Sequence, residues 1–296
     1  KLCSSSMRLD EKTLLQNERV SMVIRIGLRA GALLLWSCIT AQTASLACAH
    51  GNAGQRPVQT HPLREAYYGD LSLYTLYSFS AYLEGVRVTP DEAYRFARGE
   101  PVIYQGARVR RSTAPLDFLA VTDQVENLGL FNTLEDPASP FSRTQIGKRI
   151  RQRDSRVFNH ILQVMLFDRT NPFMGVDPKI ARSAGEAAWR QTIQAANRHY
   201  QPGKFTTFIA YHWTAYGADR SNQHRNVIFV GDDAPYPFTA TDSARPEDLW
   251  TYLENSAREG YGSLAIPHDS HLSKGTRFDW VDSDGRPVDR AYAQRR

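Results

Sequence analysis

Five side chains of this 296-residue chain stand at the ends of apolar segments that read as strands: Asp70, Asp123, His212, His224 and His268. Asp269 and His271 lie beside the last of them. Carboxylate and imidazole are the usual protein ligands of zinc, manganese and iron. A lone histidine is most often a structural residue. Several histidines and aspartates at the ends of separate strands point instead to a divalent-metal site. Other chemistries find less support. The chain has no Gly-x-Ser-x-Gly elbow and no glycine-rich phosphate loop, and no cysteine follows Cys48 to act as a nucleophile.

The elements that must position these groups follow one another in a repeated order of strand, polar end and helix. Ala66 to Leu73 reads as the first strand and ends in polar residues. Thr89-Pro90-Asp91-Glu92 combines a Thr N-cap, Pro at the first helical position and Glu three residues after the cap, and Gly99 stops that helix. Val102 to Val109 suits a hairpin or a covering loop. Phe118-Leu119-Ala120-Val121 suits a strand buried on both faces and ends at Thr122-Asp123-Gln124. A helix is expected from Asp177-Pro178 to about Tyr200, a third strand over Phe205 to Trp213 with His212 near its end, and a fourth over Asn226 to Gly231, preceded by His224. Pro246 to Arg258 is a helix closed by Gly260, and Gly262 to Pro267 is a fifth strand ending at His268. This order predicts an α/β fold with a largely parallel sheet, open or closed as a barrel.

Composition bounds the rest. Hydrophobic residues make up 42% of the chain, enough for a sizeable core. The net charge of +5 is spread along the sequence, with one concentration from Lys148 to Arg156, so nucleic acid is not expected as a partner. Residues 1–49 read as upstream residues and a signal peptide: a basic start from Met22, an apolar run over Ala30 to Ile39, and Ala47-Cys48-Ala49 as a cleavage pattern. The mature chain is then exported, periplasmic or secreted, without a transmembrane span. Lipid anchoring at Cys48 is the alternative. Residues 50–63 read as a linker and residues 64–296 as the domain.

Five separated blocks then add a resemblance: Arg64-Glu65-Ala66-Tyr67-Tyr68-Gly69-Asp70, Phe118 to Asp123, Phe205 to Tyr211, His224 to Phe229 and Ala265-Ile266-Pro267-His268. In this order they resemble an exported bacterial family known only as a domain of unknown function. That family is similar to the PHP (polymerase and histidinol phosphatase) metallohydrolases. The resemblance implies a distorted β/α barrel with largely parallel strands, metal ions at its mouth and hydrolysis of a phosphoester-type small-molecule substrate. It also implies that the domain is incomplete at its C-terminus.

Position by position, Asp70, Thr75, Thr122, Asp123, His224 and His268 match the family's motifs. Ser72, Tyr74 and Gln124 stand where it has histidines, Ser80 where it has Asp, and His212 where it has Glu. By resemblance, Asp70 and Asp123 are the catalytic carboxylates, and Asp123, His212, His224 and His268 are left to hold a single zinc, manganese or iron ion. A cluster of two or three metals cannot be built from these. Two expectations follow: a PHP-like metal-dependent hydrolase with a degenerate site and weak or no activity, or a non-catalytic ligand- or envelope-binding protein on the same barrel.

Overall fold

The computed structural model describes residues 66–152, 157, 161 and 175–296. The expected signal peptide, the linker and all three cysteines lie outside the described residues. Among those described, no helix is long and apolar enough to cross a membrane.

A five-stranded sheet organises the fold. Its strands are β1 (Gly69–Leu73), β4 (Phe118–Val121), β5 (Thr206–Trp213), β6 (Arg225–Phe229) and β7 (Ser263–Pro267), hydrogen-bonded in that order. A separate hairpin pairs β2 (Val102–Tyr104) with β3 (Ala107–Val109). The helices are α1 (Phe79–Leu83), α2 (Pro90–Ala97), α3 (Pro140–Arg143), α4 (Gln145–Arg151), α5 (Pro178–His199), α6 (Pro246–Arg258) and α7 (Arg290–Arg295). The capping box at Thr89 forms as its residue types require: its hydroxyl accepts from the Glu92 amide, and the Glu92 carboxylate accepts from the Thr89 amide. Such a cap stabilises a helix by about 1 kcal/mol.

Period-two alternation buries both faces of the sheet. Leu119, Val121, Ile209, Tyr211, Val227 and Phe229 join the main core with Trp189 and Ala196 of α5. The residues between them, Ala120, Ala210 and Ile228, pack on the other face with Leu71, Phe208 and Ile266. Residues of all five strands thus meet on one concave face. Four strand intervals in a flat sheet would separate β1 from β7 by roughly 19 Å. Yet Ser72 Oγ lies 3.0 Å from His268 Nε2, and Asn226 Nδ2 donates to the Leu71 carbonyl at 3.0 Å. The sheet is therefore strongly curled.

One feature of the expected barrel is corrected and one is refined. The curled sheet is not closed, since no ladder joins β1 to β7 among the described residues. It is also mixed rather than wholly parallel: β1–β4 and β4–β5 are parallel, whereas β5–β6 and β6–β7 are antiparallel, so of the five strands β6 runs against the others. Residues 214–224 between β5 and β6 contain no helix, and a parallel crossover needs a dozen or more residues, usually helical. Between β6 and β7 the chain does include α6, but β7 returns beside β6 in reverse.

Candidate functional site

That reversal assembles the site. His212 is near the C-terminal end of β5, His224 just before β6, and His268 just after β7. In an all-parallel sheet His224 would sit at the opposite edge from the other two. With β6 reversed, all three reach one edge, and the His268 amide donates to the His224 carbonyl at 3.0 Å. One ligand atom from each imidazole falls within 4.8 Å of the others. The His212 ring stands edge-on to those of His224 and His268, with centroids 5.0 Å away in each case.

The tautomer of His212 follows from its neighbours. The Leu71 carbonyl can only accept, so the Asn226 amide turns its NH2 there and its Oδ1 toward His212 Nδ1, at 2.7 Å. His212 Nδ1 therefore carries the proton, and Nε2 keeps its lone pair. His212 Nε2 and His224 Nε2 are both buried and have no hydrogen-bond partner among the described residues. Burial is the main force that lowers the His212 pKa to about 3 and that of His224 to about 2, with neighbouring positive charge adding to it. Both rings are neutral at pH 7, as metal ligation requires. His268 is the half-buried member, with 26% of its side chain accessible. Its Nδ1 lies 3.1 Å from Asp269 Oδ2 without the alignment of a hydrogen bond.

The other sequence-derived positions fall elsewhere. Asp123 is buried, but its oxygens are taken by donors from the loop after β1: the Thr75 amide at 2.5 Å, the Thr75 hydroxyl at 2.5 Å and the Ser78 hydroxyl at 2.8 Å. Burial raises its pKa to about 6, and these bonds oppose the rise. It does not belong to the histidine group. Asp70 is exposed and accepts from the Ser72 amide at 2.8 Å. The three positions that depart from the family's histidines are each hydrogen-bonded. Ser72 meets His268 Nε2, and the Tyr74 hydroxyl approaches His212 Nδ1 at 3.1 Å. Gln124 Oε1 accepts from the Ser80 hydroxyl at 2.6 Å. Burial, followed by the charges of Asp269 and Asp123, raises the Tyr74 phenol's pKa and keeps it protonated.

Sequence reasoning missed Asn226 and Arg277. Asn226 carries only a weak signal: it is a polar residue just before the apolar run Val227-Ile228-Phe229 of β6. Arg277 ties the two loops under the cluster, donating to the His268 carbonyl at 2.6 Å and to the Asn222 carbonyl at 2.9 Å. Nothing in its local sequence marks it out. Glu126, also missed, is buried and accepts from the Thr214 and Ala240 amides, which makes it a brace between loops.

Comparison with protein families gives one match: the model described as "Protein of unknown function (DUF3604)" covers residues 61–296, and the chain belongs to that family. Neither the curated proteins nor the solved structures include a match.

Proposed function

We propose that this member of the DUF3604 family is an exported metal-dependent hydrolase, similar to the PHP metallohydrolases, whose single divalent ion is held by His212, His224 and His268. One observation carries the reading: His212 and His224, whose buried Nε2 atoms have no partner among the described residues, and His268 each bring one ring nitrogen within 4.8 Å of the others. A buried acceptor left unpaired costs about 1–3 kcal/mol, a penalty that ligation removes. Three neutral imidazoles suit zinc above the harder cations. An ion bound there would supply Lewis-acid polarisation of a phosphoester and of the attacking water. Asn226 orients His212, as a backing hydrogen bond does for metal-bound histidines. Asp123 acts as a positioning residue that holds Thr75 and Ser78 at the mouth. The curl of the sheet favours the barrel-like likeness.

A second reading, a non-catalytic binding protein, is favoured by Ser72, Tyr74 and Gln124. Each is already engaged with a neighbour, so a hydrogen-bond network stands where further ligands would be needed. Elemental analysis of the purified chain, beside the Ser72→His, Tyr74→His, Gln124→His triple variant, separates the two. The first reading expects a single ion per wild-type chain and hydrolysis of p-nitrophenyl phosphate that His268→Ala abolishes. A wild type that stays empty after zinc, manganese and iron loading, while the triple variant fills, would overturn it in favour of the second.

A further inference from the structure

We infer that the ion proposed above draws a fourth ligand from this chain, the Asp269 carboxylate, and that His268 binds the ion through Nδ1. The inference rests on the three-histidine reading and adds to it. Asp269 Oδ2 lies 3.1 Å from His268 Nδ1, yet the two are not aligned as a hydrogen bond, and Nδ1 is buried without a partner among the described residues. In coordination chemistry such a separation has another meaning. Two ligand atoms on one tetrahedral zinc ion, each about 2.0–2.1 Å from it, stand roughly 3.3 Å apart. The other ring nitrogen of His268, Nε2, is 3.0 Å from Ser72 Oγ. A proton on Nε2 can be donated there, which leaves the Nδ1 lone pair for the ion. Backing hydrogen bonds of this kind orient metal-bound histidines.

The local structure of Asp269 points the same way. It stands at the N-cap position of the short 3-10 turn Ser270–Leu272, where an aspartate normally accepts from a backbone amide, but its side chain makes no such bond. Nor does its carboxylate accept a hydrogen bond from any other described residue. Its backbone is left-handed, with φ 53° and ψ 44°, a conformation that aspartate tolerates and glycine prefers. Sparsely populated backbone of this kind collects at functional sites. Here it carries an uncommitted carboxylate to the side of a cluster histidine.

Charge supplies the remaining argument. A dication held by neutral imidazoles alone keeps its full charge in a largely buried site, and one carboxylate halves it. The other carboxylates near the cluster are committed: Asp123 to Thr75 and Ser78, Glu126 to the Thr214 and Ala240 amides, and Asp70 to the Ser72 amide. Asp269 raises the pKa of the Tyr74 and Tyr216 phenols more than any other charge does, so its field falls on the site. It does not complete the histidine group as it stands. Ligation asks for a turn about its side-chain torsions, for which an accessibility of 39% leaves room.

The test measures the zinc affinity of the full chain, by competition with a chromophoric chelator, beside those of Asp269→Gly and Asp269→Asn. Glycine suits the left-handed backbone and asparagine tolerates it, so both variants should fold; Asp269→Asn carries the test should Asp269→Gly not. Each should bind zinc at least about 100-fold more weakly than wild type, beyond the roughly 10–100-fold loss expected of a residue that only backs a ligand. Cobalt(II) in place of zinc gives a second readout, which a merely structural residue would not move: the visible bands should change when water replaces the carboxylate. A smaller loss of affinity, or cobalt bands in the variants that match those of wild type, would overturn the inference and leave the three histidines as the ligands. A wild type that takes up no zinc would overturn the three-histidine reading and this inference with it.

Discussion

On the β1–β4 side of the sheet edge, Asp123 accepts from Thr75 and Ser78, and Gln124 accepts from Ser80. On the β5–β7 side, the Nε2 atoms of His212 and His224 accept nothing. Both regions are buried polar clusters at the same edge, a few residues from one another. The parallel half has spent its polar groups on holding loops together; the antiparallel half keeps lone pairs free. Buried polar groups are normally paired. The first half is satisfied within the chain, whereas the second leaves two buried ring nitrogens unpaired among the described residues.

The largest expected consequence is a pair of opposed pH dependences in the metal-free chain. His212 and His224 have folded pKa values of about 3 and about 2, below the unfolded value near 6.5. The unfolded chain takes up their protons first, so their contribution to stability is present above about pH 6.5 and is lost as the pH falls. Asp123 has a folded pKa of about 6, above its unfolded value, so its contribution falls as pH rises from about 4 to 6. Between those limits unfolding binds two protons and releases one. Stability should drop by about 1.4 kcal/mol per pH unit on acidification, and twice as steeply in Asp123→Asn, which removes the opposing group. Denaturant unfolding at pH 7, 6, 5 and 4 measures both slopes. Equal slopes in the two proteins would erase the distinction drawn between the halves.

A smaller effect tests the saturated half directly. Asp123→Ala leaves the Thr75 amide, the Thr75 hydroxyl and the Ser78 hydroxyl without their acceptor. The expected loss is about 3 kcal/mol at pH 7. Asp123→Asn keeps one oxygen for the Thr75 amide and should cost clearly less. A midpoint unchanged in Asp123→Ala would mean that these bonds do not hold the β1 loop.

How far all this could be read from the sequence differs between the halves too. The run Phe118 to Val121, the Thr89 capping box and the polar ends at Asp123, His212 and His268 are local patterns, and each element formed where its pattern lies. Strand direction is not local. The apolar run Val227-Ile228-Phe229 suits a strand running either way, so the reversal that brings His224 to the cluster left no mark. Pairing partners are equally silent: that Asp123 would face Thr75, and His212 would face Asn226, depends on register across the sheet. The burial of Arg225 was not legible, since it precedes the expected strand, which was read from Asn226.

The smallest effect is the most discriminating, because its sign is unusual for a buried polar residue. Removing a satisfied group exposes its partners, but removing an unsatisfied one relieves a penalty. His224→Leu replaces the ring with an apolar side chain of similar bulk, packed between Tyr216 and His212. Its Nε2 has no partner to orphan. In the metal-free chain the variant should be as stable as wild type or more stable by about 1 kcal/mol. In zinc the order should reverse, since wild type alone would gain stability by binding the ion. Denaturant midpoints with and without zinc check both signs. A loss as large as that of Asp123→Ala, in the absence of metal, would place His224 among the saturated groups and remove the contrast between the two halves.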